Sequence, residues 1–412
     1  MPKPTITVRA GHPDFLDLPW EESLETWTIP ELVDLPKGIS RHVVRFVETT
    51  VGIYAIKELP ERAARNDYGV LRQLEDGSAP AVTAVGLVTN RSSDRHGESS
   101  AALITAYEDF SFSYRELLAG PGFGPNRVRM LDAFAHLLVE LHVAGCYWGD
   151  CSLSNVLYRW DADAIETIMV DAETASMHPG GLSDGQRHED VSIMIENVAG
   201  GMADIAAQAE TDLHHADLSM GEEIADRYHH LWRELRDEEV IQSIERYRIT
   251  ERIERINALG FDVDEVDVVP AEDGNELRFK LRVGGRTFHS RRLKELSGID
   301  ALENQARQIL SDLHYYQARE GTSTPTMKNV AAVRWRVSEF EPMVAALMAT
   351  DGVNDPIQAY CDVLNHRYIM ASDQQRDVPT AEALDNWLAN GRPGYPPPEL
   401  AHRESDDGVP AD

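Results

Sequence analysis

The sequence is short of cysteine, of basic residues and of long apolar runs. Its three cysteines, Cys146, Cys151 and Cys361, form no Cys-x-x-Cys pair, which argues against a disulfide framework. Cys146 and Cys151 flank Asp150 with His142 nearby, but a structural zinc site takes a second close pair of ligands, and the sequence has none. No stretch approaches the roughly 18 apolar residues of a membrane span. The N-terminal MPKPTITVRAGHPDF lacks the apolar core of a secretion signal. Together these absences point to a reduced, cytoplasmic protein. Lys and Arg number 39 against 70 Asp and Glu, a formal net charge of -31. Such acidity disfavours a chain that coats nucleic acid over its whole surface, while leaving room for a local basic site. No internal repeat is evident.

What is present is enough apolar residue, 42% of 412, for two or three domains. Residues 1–25 read as a lead segment. HVVRFVE and GIYAIKEL predict strands, with a hairpin turn over Thr49 to Gly52. PERAARNDYGVLRQLEDG predicts a helix starting at Pro60 and Glu61 and ending at Gly77. Ala64, Asp67, Leu71 and Leu74 fall on one face of it, so an acid sits on the apolar stripe. PAVTAVGLVT and AALITAY predict two more strands, separated by the polar NRSSDRHGESS. RVRMLDAFAHLLVELHVAG predicts a helix closing at Gly145. A polar loop follows it, and ETIMVDAETA then gives a short strand. Helices dominate from there through HEDVSIMIENVAGGMADIAAQ and IADRYHHLWREL.

A further region begins near residue 236. VIQSIERYRITERIERINALG predicts a helix stopped by Gly260. ELRFKLRVGGRTFHSRRL alternates apolar and basic residues up to Gly284-Gly285, which predicts a hairpin. DALENQARQILSDLHYY predicts another helix. From residue 373 onward Pro, Gly and acidic residues accumulate, the composition of a disordered tail over 373–412.

Four polar features stand in chain order. Lys57 lies on a strand, Asp67 on the core face of a helix, Asp150 and Asn155 in one loop, and Asp171 at a strand end. A strand lysine can neutralise the α- and β-phosphates of a nucleotide, given an acid to hold it. Asp150 can orient an attacking hydroxyl and accept its proton. Asn155 and Asp171 supply the hard oxygen that magnesium prefers. Taken singly, each has a plain structural reading: a solvent-facing lysine, a tolerated helix acid, loop caps and a turn residue.

The order is the one that phosphoryl transfer from ATP uses in kinase-like folds. LHVAGCYWGDCSLSNVLY resembles the catalytic loop of kinase-like phosphotransferases, written LHxxGxxHGDxxxxN, and matches it at Leu141, His142, Gly145, Gly149, Asp150 and Asn155. VDAETA is similar to the metal motif of the aminoglycoside and choline phosphotransferase branch, and YAIK to the strand motif that carries the nucleotide lysine. The resemblance covers about residues 26–235. The layout resembles an actinobacterial group related to lipopolysaccharide kinases, whose core precedes a conserved domain of unknown function, here 236–372.

The resemblance implies an α+β, bilobal protein-kinase-like fold with a β-rich N-lobe over 26–110, a helical C-lobe over 111–235, and an additional C-terminal α+β domain. It implies ATP and Mg2+ as cofactors and a hydroxyl acceptor, with a small molecule favoured over protein. Gly38 in LPKGIS falls where the phosphate-covering loop belongs. Ala106, Tyr107 and Glu108 fall at the adenine hinge. Asp190 falls where an acid supports the catalytic loop, though a plain helix N-cap reads equally well. His142 reads as a buried structural histidine. The sequence departs from the pattern in five places, the first being that the phosphate-covering loop has only the one glycine, Gly38. Trp148 replaces the usual His. Gly149 stands where an Arg would read a phosphorylated activation loop, which implies no control of that kind. Ala172 and Glu173 follow the metal Asp. Asp67 is one methylene shorter than the usual Glu.

Two rival readings remain. The single Gly38, Trp148 and Asp67 suit a nucleotide-binding pseudokinase that scaffolds rather than catalyses. Arg278, Lys280, Arg282, Arg286, Arg291, Arg292 and Lys294 form a run without an acid. That run suits either a solvated strand face or a site for nucleic acid, a phosphorylated partner or the acidic kinase half.

Overall fold

A computed structural model describes residues 3–35, 41–91, 100–117, 126–208, 210, 212–213, 215–270 and 276–394. The chain is α+β, its sheets antiparallel, and it divides into two units. The first comprises Met1–Tyr158 with Thr167–Asp237, and the second Arg159–Glu166 with Glu238–Asp412.

The first unit opens with β1 (Thr5–Val8), β2 (Leu32–Val33), β3 (Val43–Glu48), β4 (Ile53–Pro60), α1 (Glu61–Asp76), β5 (Ala84–Thr89) and β6 (Ser100–Ala106). The strands form one six-stranded sheet in the order β1-β5-β6-β4-β3-β2. Thr49 N donates to Gly52 O at the β3–β4 turn, where the hairpin was expected. Residues 1–25 are more than a lead. β1 extends the sheet, and Phe15, Trp20 and Leu24 join Tyr54 and Ile56 in a buried cluster on one of its faces. Strand side chains alternate, so Lys57, the neighbour of Ile56, is sent to the other face, where α1 packs. The buried face of α1 is Ala64, Asp67, Val70, Leu71 and Leu74.

Next come β7 (Ser111–Phe112), α2 (Tyr114–Leu117), α3 (Asn126–Val143), β8 (Cys146–Tyr147), β9 (Val156–Asp161), β10 (Ala164–Met169), β11 (Ser176–Met177), α4 (Asp184–Gln208), α5 (His215–Leu218) and α6 (Met220–Arg236). α3 and α4 both pack on α6. Gly145 ends α3 at φ +79, and a Cβ there would lie 2.4 Å from His178 O, so only glycine fits. β8 pairs with β11, and β9 with β10 and β7. These small pairings fix the two ends of the loop that holds Asp150 and Asn155.

In the second unit β12 (Glu239–Gln242), α7 (Tyr247–Ala258), β13 (Val263–Pro270) and β14 (Glu276–Val283) precede α8 (Phe288–Ser297) and α9 (Glu303–Arg319). β14 lies between β12 and β13. The expected hairpin at Gly284-Gly285 is therefore corrected, because the chain beyond it enters α8. The Glu303 carboxylate accepts from His289 N (2.7 Å) and Ser290 N (3.0 Å), capping a helix where a strand was read. β14 pairs instead with β12 and with β13, in DVDEVDVV, whose acids hid its strand character.

The unit continues with α10 (Pro325–Trp335), a π-helical turn (Arg336–Phe340), α11 (Glu341–Met348), α12 (Pro356–Gln374) and α13 (Thr380–Ala389). The tail boundary at 373 is also corrected. Ala383 and Trp387, one helical turn apart, are fully buried in the core built around Trp335, Tyr360 and Leu313. The remainder of the expected tail, 395–412, lies outside the described residues.

The β9–β10 tip belongs to this second unit. The Asp161 carboxylate accepts from Asn304 N (3.0 Å), Asn304 Nδ2 (2.9 Å) and Gln305 N (2.7 Å), capping α9. Ala162 exchanges two hydrogen bonds with the Gln358 amide, at 2.8 and 3.0 Å.

Candidate functional site

Lys57, Asp67, Asp150, Asn155 and Asp171 converge within the first unit. Lys57 Nζ lies 2.7 Å from Asp171 Oδ2, 3.3 Å from Asp67 Oδ2 and 3.7 Å from Glu173 Oε2. Burial by itself would lower the Lys57 pKa, but the Asp67, Asp171 and Glu173 carboxylates outweigh it and raise the pKa. Asp67 is fully buried, and burial lifts its carboxyl to about 7 against the pull of Lys57. Its Oδ1 accepts from Ala172 N at 3.0 Å, so α1 holds the turn after Asp171 as well as the lysine.

This has a measurable consequence. Because the folded-state value exceeds the unfolded one, Asp67 favours the folded state most below about pH 3.8, and that contribution is lost as pH rises through about 7. Asp67→Asn keeps the acceptor for Ala172 N and removes the titration. We expect the fall in melting temperature between pH 4 and pH 7.5 to flatten in this variant, by the equivalent of at most about 4 kcal/mol. Parallel pH profiles for the two proteins would contradict the assignment.

Asp150 sits at the mouth of its loop with its side chain 35% exposed. Asn155 Nδ2 donates to Asp150 Oδ2 (3.1 Å) and to Asp150 O (3.1 Å), and Asn197 Nδ2 donates to Asp150 Oδ1 (3.2 Å). Both carboxylate oxygens are thus aimed. Asp171 Oδ1 accepts from Glu173 N at 3.1 Å, and Asp171 O from Trp148 Nε1 at 3.1 Å.

The loop rests on Asp190, which is fully buried on α4. Its carboxylate accepts from Trp148 N (2.7 Å) and Gly149 N (2.8 Å) and lies 3.1 Å from His142 Nε2. Burial lowers the His142 pKa despite Asp190. The neutral ring then donates from Nε2 and accepts at Nδ1 from Tyr228 Oη, 2.7 Å away. Trp148 is fully buried and stacks on Phe134 at 6.1 Å. In the place of the usual His it packs under the loop and also ties the loop to Asp171. Cys146 and Cys151 are buried, free thiols, and burial pushes Cys146 up to about 12. Among the described residues no group of three or more His, Cys, Asp and Glu could hold a metal ion.

Other expected residues fall differently. Gly38 lies outside the described residues. Ala106 N donates to Thr83 O and Tyr107 N to Ile53 O, at 3.0 and 3.1 Å, so neither amide is offered to an adenine. Glu108 follows β6. The basic run is spread over two elements and meets acids that the linear sequence kept apart. Arg282 pairs with Glu265 (2.6 Å) and Asp267 (3.1 Å), Arg291 with Asp262 (2.6 Å), Lys294 with Asp300 (2.7 Å) and Arg278 with Glu238 (3.8 Å). Lys280 stands opposite Asp267 in the β13–β14 register, and Arg286 Nε donates to Leu259 O. Arg292 is exposed on α8.

Sequence reasoning missed four residues. Asn66 Nδ2 donates to the carbonyls of Ala172, Glu173 and Ala175 at 3.3, 3.0 and 2.9 Å. Its signal was adjacency to Asp67. Asn197 lies seven residues after Asp190, two turns along the same face of α4. Arg41 and His42, beside the expected phosphate loop, reach Glu173 at 2.7 and 2.9 Å. No local pattern announces that contact.

Residues 230–391 match a family described as "Domain of unknown function (DUF4032)". This agrees with the expected C-terminal domain of unknown function and carries its end past 372 to include α13. Among solved structures the chain is similar to one titled "WaaP in complex with acyl carrier protein", at 16% identity over 54% of this chain and 89% of that chain, with a TM-score of 0.33. No curated protein matches. No described helix is long and apolar enough to cross a membrane.

Proposed function

We propose that this chain is a kinase-like phosphotransferase that moves the γ-phosphoryl group of ATP, with magnesium, to a hydroxyl of a small acceptor. The observation that carries the reading is the placement of Lys57 between Asp67 and Asp171, opposite a loop in which Asp150 is aimed by Asn155 and Asn197. Such a reaction rests on positioning and charge neutralisation. Lys57 would hold the phosphates. Asp150, its two oxygens oriented, would receive the acceptor hydroxyl and its proton.

The donor set suits magnesium. Asn155 spends Nδ2 on Asp150, which leaves its amide oxygen as a ligand, and Asp171 offers a carboxylate. Magnesium keeps several waters and takes only one or two protein oxygens beside phosphate. When bound, the ion would neutralise charge developing on the phosphate oxygens.

Calorimetry with ATP and magnesium tests the reading. The wild type is expected to bind ATP more tightly with magnesium than without. Asp171→Ala is expected to lose the magnesium dependence and at least about tenfold in affinity, the loss of one charge-assisted contact. A wild type that binds no ATP under either condition overturns the proposal. The rival, a non-catalytic nucleotide-binding scaffold, draws support from the closure of Lys57 on Asp171 at 2.7 Å. It predicts binding without ADP release.

A further inference from the structure

Glu173 faces three basic side chains. Its carboxylate lies 2.7 Å from Arg41, 2.9 Å from His42 Nε2 and 3.7 Å from Lys57. Its side chain is only 10% exposed. A carboxylate only accepts, so His42 Nε2 carries a hydrogen toward it. Side chains of two residues just before β3 and one on β4 thus converge on one anion. Lys57, the proposed phosphate ligand, is among them.

Arg41 makes a second contact, with Asp150 Oδ2 at 3.6 Å. It therefore bridges Glu173 to the proposed general base. Its side chain is 64% exposed. The Glu173 backbone, by contrast, is pinned. Its N–H donates to Asp171 Oδ1 and its carbonyl accepts from Asn66. Only the side-chain torsions of Glu173 need change for the carboxylate to leave.

We infer that the Glu173 carboxylate is an internal stand-in for the nucleotide's terminal phosphates, and that an incoming polyphosphate displaces it from Arg41, His42 and Lys57. This rests on the phosphotransferase reading and extends it. Arg41 and His42 become phosphate ligands, and Glu173 becomes a positioning residue that holds these side chains until the polyphosphate arrives. A polyphosphate carries more charge and more acceptor oxygens than a carboxylate and suits an arginine fork better. Drawing Arg41 onto phosphate also removes it from Asp150. Nucleotide binding thereby frees the base for the acceptor hydroxyl, so the ordering of substrates is built into one arginine.

The test uses the full chain and two probes, ATP with magnesium and inorganic tripolyphosphate. Glu173→Gln keeps the size of the side chain and removes the competing charge. It is expected to bind both probes about tenfold more tightly, as when a competing occupied state of about 90% is removed. Arg41→Ala is expected to bind both about tenfold more weakly, one charge-assisted contact being lost. Glu173→Asp, which keeps the charge on a shorter arm, checks against misfolding and should fall between wild type and Glu173→Gln. Damage to the fold does not raise affinity, so a gain is diagnostic. Unchanged or weaker binding of both probes by a folded Glu173→Gln overturns the displacement. A gain for ATP alone also overturns it, because the phosphates would not be the displacing group. Tighter tripolyphosphate binding without any ATP binding overturns the phosphotransferase reading while leaving the anion displacement standing.

Discussion

Asp150→Ala is expected to lower turnover by about 10³-fold, the middle of the range for removal of a general base, while ATP and magnesium still bind. ADP release, with water standing in for the acceptor, is the measurement. Asp150 touches neither Lys57 nor Asp67, and the groups that aim it, Asn155 and Asn197, come from its own loop and from α4. At 35% side-chain exposure, water can fill the space that truncation leaves. Binding should also improve slightly in this variant, because Arg41 is released from its 3.6 Å contact. Undiminished ADP release would remove Asp150 from its assigned role.

Asp190→Ala is expected to be the most destabilising single change near the site. Three donors converge on its buried carboxylate: Trp148 N, Gly149 N and His142 Nε2. Each buried donor left without a partner costs about 1–3 kcal/mol, so a loss of at least about 3 kcal/mol is expected in chemical denaturation. The loop carrying Asp150 would lose its anchor at the same time, so turnover should fall with stability. His142→Ala removes only one of the three contacts and should cost less. Near-equal stabilities for wild type and Asp190→Ala would mean that other groups hold the loop.

The readable part of this protein was the part written in short-range pattern. Asp150 and Asn155 lie five residues apart in one loop, and Asp67 announces itself as an acid on an otherwise apolar helix stripe. Gly145 and Gly260 mark helix ends by composition, and both take positive φ, +79 and +95. The unreadable part depended on distance in the chain. Arg41 meets Glu173 across 132 residues, and no spacing rule connects them. The basic run looked unpaired because two of its partners, Glu265 and Asp267, sit on a strand that pairs alongside, and a third, Asp262, stands just before that strand. That strand was itself missed, since Asp264, Glu265 and Asp267, residues depleted in strands, interrupt its valines. Gly284-Gly285 carried a turn signal, and a distant carboxylate, Glu303, decided that a helix follows.

Asn155 and Asp171 stand at the two roots of the β9–β10 hairpin, whose tip is a component of the second unit. The backbone therefore passes between units after Tyr158, after Glu166 and again after Asp237. A polypeptide cut at 237 would sever a single peptide bond yet orphan an inlaid piece, leaving Asp161 without Asn304 and Gln305 and Ala162 without Gln358. A boundary drawn there would thus leave residues 159–166, which lie in the chain between the two proposed magnesium ligands, without the groups that hold them.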